Sequence, residues 1–179
     1  MTLKSRICAF VIAGLLLASP IAADTVDFTQ LPGEELGSSS VTVDGVTFRS
    51  DTELYNLSAT HFPDAGGAIC GFDPDSFSCH NDLKVNFNGQ VRRLRLSVLG
   101  FDQADIASIT LFRGKANLGS VPISHNHGYR LDSFGKVTRI VIHVSSTAHN
   151  IAFGKFQFRR VPPPAKAHHD GKPNRTQRN

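Results

Sequence analysis

Tryptophan is absent from this 179-residue chain, which has two tyrosines, three cysteines and a single methionine. Without Trp a sugar-binding surface loses its usual best stacking platform, so aromatic contacts fall to thirteen Phe and the two Tyr. The cysteines contain no Cys-x-x-Cys pair, the spacing of a redox-active site. Hydrolase signatures are missing too: there is no G-x-S-x-G elbow and no H-E-x-x-H pair. Carboxylates brought together only by folding would escape such a search. Glu34-Glu35 and Asp51-x-Glu53 read more simply as solvated loop charges, and the chain is expected not to be an enzyme. Beyond residue 23 no stretch keeps a helical period, which excludes an α-helical core.

What is present begins with a leader. Lys4 and Arg6 precede an apolar run from Ile7 to Leu17, and Ile21 with Ala23 forms a small-residue cleavage site. That order is a signal peptide over residues 1–23. The run is too short for a spanning helix, which needs about 20 apolar residues. The expected product is secreted or periplasmic, has no membrane span, and keeps Cys70 and Cys79 after Cys8 leaves with the leader. Two cysteines in an oxidising compartment pair most simply with each other.

The formal charge of +4 is unevenly spread. From residue 159 onward six basic residues against Asp170 make +5, while 11 basic and 14 acidic residues make the body from Asp24 to Phe158 −3. The basic balance therefore reads as a property of a tail, and no nucleic-acid partner is implied. Residues 162–179, rich in Pro, Lys and Arg, hold too little apolar surface to offset the entropy of ordering and are expected to be a disordered basic tail.

Between leader and tail, "VTVDGVTF", "DLKVNFNG", "VRRLRLSVLGF", "IASITLFRG", "LGSVPIS", "TRIVIHVSS" and "KFQFRRV" are short, alternating and bounded by turn residues. Leu94, Leu96 and Val98 share one face, and Ile140, Ile142 and Val144 another. Asp44-Gly45 predicts a tight hairpin; "FNGQ" around Gly89 and "RGKANLG" around Gly114 are the next turn candidates, and Asn126 to Gly128 reads as a further tip. Seven such runs without crossover helices predict an all-β domain over 24–161, an antiparallel two-sheet β-sandwich of jelly-roll type. Phe48, Phe87, Phe156 and Phe158 alternate as core residues would.

"VDFTQLPG", "VTVDGVTF", "ITLFRGKANLGS" and "RIVIHV…HNIAFGKFQF" together resemble the galactose-binding-like jelly-roll modules of bacterial secreted proteins of the PEP-CTERM type. The resemblance covers roughly Val26 to Val161 and implies an exported binding module. Such modules often carry an Asp in the last strand motif. Here Gly154-Lys155 stands in its place, which weighs against a family-type calcium site. The C-terminal sorting signal is missing, which argues for release.

The segment "CGFDPDSFSCH", residues 70–80, concentrates the candidate chemistry. A Cys70–Cys79 bridge would clip a short loop and stabilise by roughly 2–3 kcal/mol in the chain-entropy model. Asp73 and Asp75 begin like a calcium loop, but the later Asp/Asn, Gly and Glu positions are not filled, so only an irregular calcium site using Asp73, Asp75, Asn81 or Asp82 is left open, against a solvated Asp-Pro turn. His125 and His127 would be half of a zinc site, with His143 or His149 as distant completions, and no zinc is assigned. For a carbohydrate or another surface ligand, the loop aromatics Tyr55, Phe62, Phe72, Phe77 and Tyr129 stand near Asn56, His61 and Arg130 in the sequence reading. Phe72 and Phe77 could equally fold inward as a lid. Two functions follow, a non-catalytic module binding through its end loops or a structural or interaction protein of the cell envelope or matrix, with a hydrolase of fold-assembled carboxylates ranked last.

Overall fold

Alternation of apolar and polar residues shapes most of the strands, which hold well over half of the described chain. The computed structural model describes residues 23–57, 66–102, 106–145 and 150–163. The strands are β1 (Asp24–Thr25), β2 (Glu34–Glu35), β3 (Ser40–Val43), β4 (Val46–Arg49), β5 (Glu53–Leu57), β6 (Ala68–Asp73) and β7 (Ser78–Asn81). They are followed by β8 (Leu83–Leu99), β9 (Ala107–Arg113), β10 (Ala116–Ile123), β11 (Gly128–Arg130), β12 (Val137–Val144) and β13 (Ala152–Arg160). All pairings are antiparallel, in the order β10-β9-β12-β8-β13-β6-β5-β2. The all-β antiparallel fold expected from the alternation is therefore present, as one continuous hydrogen-bonded sheet. All but the last residue of the predicted leader, all but the start of the tail, and His61, Phe62 and His149 lie outside the described residues.

β8 organises the sheet. Its first part pairs with β12 on one side and β4 on the other, with Ile142 opposite Leu83 and Phe48 opposite Val85. Its last part pairs with β13 and β11, with Ala152 opposite Leu99 and Tyr129 opposite Leu96. Both parts turn an apolar face to one core, in which Leu83, Val85 and Phe87 join Leu94, Leu96 and Val98. Phe28, Phe48 and Phe156 meet edge to face with centroids 5.2–6.0 Å apart, and Phe87 meets Phe158 at 5.2 Å.

Two of the predicted hairpins form: β3 turns into β4 at Asp44-Gly45, both at positive φ, and β9 into β10 at Gly114-Lys115. The other two differ. "FNGQ" does not reverse the chain: Asn88 and Gly89 take φ of 50° and 146° inside β8, bending it between its two sets of partners. The Asn-Gly pair has the backbone freedom that a turn needs, but here that freedom serves a bend within one strand. The stretch from Asn126 to Gly128 is not a hairpin tip either, because β10 pairs with β9 while β11 pairs with β8.

Candidate ligand-binding site

The β6–β7 hairpin is built by its turn residues. Asp73 Oδ1 accepts the Asp75 N–H at 3.0 Å, Pro74 restricts its own φ, and Phe77 at φ 51° completes the reversal. Register then sets Asp73 opposite Ser78 and Phe72 opposite Cys79. Cys70 and Cys79 are disulfide-bonded, their Cα atoms 5.6 Å apart, so the hairpin is clipped as the cysteine arithmetic required.

Successive residues of β6 face opposite ways. Ile69 enters the main core, whereas Ala68, Cys70 and Phe72 form a second apolar cluster on the outer face with Cys79 and Ala152, flanked by Tyr55, Leu57 and Leu99. In this cluster Tyr55 lies 5.0 Å from Phe72, and Phe72 lies 6.3 Å edge to face from Phe77. The three rings form a ladder of graded exposure: Phe72 is 5% exposed, Tyr55 half-buried and Phe77 76% exposed. The alternatives of outward platform and inward lid are thus divided between the two phenylalanines. Desolvation raises the Tyr55 pKa, helped by the charges of Glu34 and Glu35, so its phenol is an O–H donor at neutral pH.

The remaining sequence candidates sit elsewhere. Tyr129 is a strand residue, 8% exposed, whose hydroxyl accepts the N–H of Ser124 at 2.8 Å and donates to the His125 carbonyl. It fastens a turn and offers no ring to solvent. Arg130 is exposed on β11, separated from β6 by β8 and β13. Asn56 is 2% exposed and donates to the carbonyls of Phe28 and Pro32, so it braces the 28–32 turn and cannot meet a ligand beside Tyr55. His125 and His127 lie in the loop before β11, ring centroids 5.3 Å apart, with His125 stacked on Tyr129. The alternation that would aim both at one strand face does not apply there.

Asp73, the leading calcium candidate, is engaged by the protein's own donors. Oδ2 accepts from the Ser76 hydroxyl at 2.8 Å and lies 3.2 Å from His80 Nε2, while Ser78 Oγ lies 2.6 Å from His80 Nδ1. Asn81 donates to Thr52, and Asp82 accepts from the Val144 N–H and contacts His143 Nδ1 at 2.8 Å, pinning β12 at the β7–β8 corner. Among the described residues no group of three or more His, Cys, Asp or Glu is placed to hold a metal ion, and no helix is long and apolar enough to cross a membrane. The Ser76–Asp73–His80–Ser78 network carried no motif signal, since it depends on the turn that folds residues 73–80 back on themselves.

No protein-family model matches the chain, and no curated protein matches it.

Proposed function

We propose that the chain is an exported, non-catalytic binding module that takes a carbohydrate or another surface ligand on the clipped β6–β7 hairpin. One observation carries the reading: Phe77 stands 76% exposed at the tip of a disulfide-bonded hairpin, backed edge to face by the buried ring of Phe72. A rigid mount lowers the ordering cost of binding. Tyr55, half-buried and 5.0 Å from the Phe72 ring, supplies a further ring with an O–H donor. Neighbouring Glu34 and Glu35 add acceptors for sugar hydroxyls.

Phe77→Ala is the discriminating substitution, because Phe77 is exposed and its loss leaves the core intact. On a glycan array the wild type should bind at least one glycan, and the variant should bind it at least about tenfold more weakly with an unchanged melting midpoint, the scale of one aromatic anchor. No glycan bound, or equal binding by both proteins, would return the chain to the second reading, an interaction or structural protein of the cell envelope.

A further inference from the structure

The sequence spreads its basic residues thinly up to the last strand, yet the sheet gathers five of them. Register sets Arg130 of β11 directly beside Arg95 of β8, with Gln157 of β13 on the other side of Arg95. Arg93, Lys155 and Arg159 extend the row along β8 and β13. Two shallow grooves of about 160 and 330 Å³ share Arg95 and Gln157 along this outer face. Arg93, Arg95, Arg130 and Lys155 are exposed, and Arg159 is half-buried.

Three features make the row more than a solvated face. Like charges directly opposite on neighbouring strands destabilise a sheet, yet Arg130 faces Arg95 and Arg159 faces Arg92. Nor are the charges neutralised: Asp132 approaches only Arg95, at 4.0 Å, and Arg93, Arg130, Lys155 and Arg159 make no ion pair among the described residues. The backbone, finally, is irregular where cations are added. Val91 and Leu94 both enter the core with two exposed arginines between them, and Phe153 and Phe156 both enter it with Gly154 and Lys155 between them. Arg93 and Lys155 take φ of 55° and 50°, a region non-glycine residues seldom adopt. Bulges of this kind re-aim side chains beside binding sites.

We propose that this strip binds a linear acidic polysaccharide, its guanidinium groups pairing with the carboxylate or sulfate groups of successive sugars. Four of the five cations are arginines, whose planar fork pairs with oxyanions through two parallel hydrogen bonds. Gln157 and Ser97 lie among them as neutral partners for hydroxyls. Single-stranded nucleic acid would need exposed rings for base stacking, and the aromatic residues lining the strip, Tyr129 and Phe158, are buried. A lipid surface rewards apolar insertion, and the exposed large apolar residues among the described ones, Phe77 and Ile106, do not line the strip. The strip acts without the aromatic hairpin and stands if that reading fails.

The test is titration of the purified full chain with heparin, alginate and neutral dextran, with duplex DNA and phosphatidylglycerol vesicles as competitors. Heparin or alginate should bind at low salt, weaken as salt rises and leave dextran unbound. Replacing Arg95, Arg130 and Lys155 together by Glu should weaken binding by roughly tenfold or more, the product of about two- to fivefold for each exposed ion pair. The Gln versions should fall in between, and they decide the matter if charge reversal disturbs the melting midpoint. Phe77→Ala should bind these polymers as the wild type does. Replacing Lys166, Lys172, Arg175 and Arg178 by Gln should leave the strip's share intact. Loss of all binding in that tail variant, undiminished binding in the strip variants, no binding to either acidic polymer, or tighter binding to DNA or vesicles would each overturn the proposal.

Discussion

Asp73 and His80 face each other across the β6–β7 hairpin, carboxylate Oδ2 to imidazole Nε2 at 3.2 Å. The contact crowns a network in which the Ser76 hydroxyl and the Asp75 N–H also donate to the carboxylate. Those two hydrogen bonds lower the Asp73 pKa from the ordinary aspartate range, and the charge of His80 adds a smaller pull. The folded carboxyl is more acidic than the unfolded one, so the ionised form favours the fold. Its contribution is complete above about pH 4 and disappears as pH falls through the lowered folded value. Asp73→Asn should therefore flatten the acid limb of the melting midpoint below about pH 4. Equal acid limbs in the two proteins would show that the hairpin network does not contribute.

The fold was more legible than the site, for a physical reason visible in particular residues. Leu94, Leu96 and Val98, or Ile140, Ile142 and Val144, declare their face by alternation, and all six are buried. Alternation is a local signal and survives in the sequence. Whether "FNGQ" reverses the chain or merely bends β8 depends on which strands lie beside it, which no local pattern records. The same limit governs the site. The cysteine pairing was legible because two thiols leave one choice. Phe72 and Phe77 look alike in "GFDPDSF" but end on opposite sides of the burial boundary, because the turn gives Phe77 positive φ. The arginine strip was illegible because residues 93, 95, 130, 155 and 159 meet only through strand register, and a net charge of −3 from Asp24 to Phe158, which takes in the first four, averages over faces that the sheet separates.

Gly71 is where β6 admits its neighbours most closely. A Cβ there would stand 2.6 Å from the Asn81 carbonyl oxygen and 2.7 Å from Ser50 Oγ, the first of them backbone that cannot swing aside. Gly71→Ala should lower the unfolding free energy by about 1–3 kcal/mol, the usual cost of overpacking, read from the urea midpoint. Gly128→Ala, with no atom within 4 Å of the added carbon, serves as the control and should change little. A midpoint for Gly71→Ala equal to that of the control would mean that β7 yields freely, against the tight β6–β7 pairing described above.

The disulfide joins this packing to the exposed ring. Cys70 and Cys79 are buried in the outer cluster with Phe72, and Phe72 is the ring on which Phe77 leans. Opening the bridge restores chain entropy to the unfolded state, about 2–3 kcal/mol for a loop this short. For a domain of this size that corresponds to a fall in melting midpoint of roughly 4–12 °C. Cys70→Ala with Cys79→Ala keeps the positions apolar, so the measured fall reports the covalent link and not a buried polar group. Amide exchange should meanwhile accelerate over residues 71–79 and stay slow in β8 and β12, whose residues belong to the main core. If the double variant melts with the wild type, the hydrogen-bond network around Asp73 alone holds the hairpin. If exchange accelerates across the whole sheet, the bridge supports the fold at large and not the local mount of Phe77.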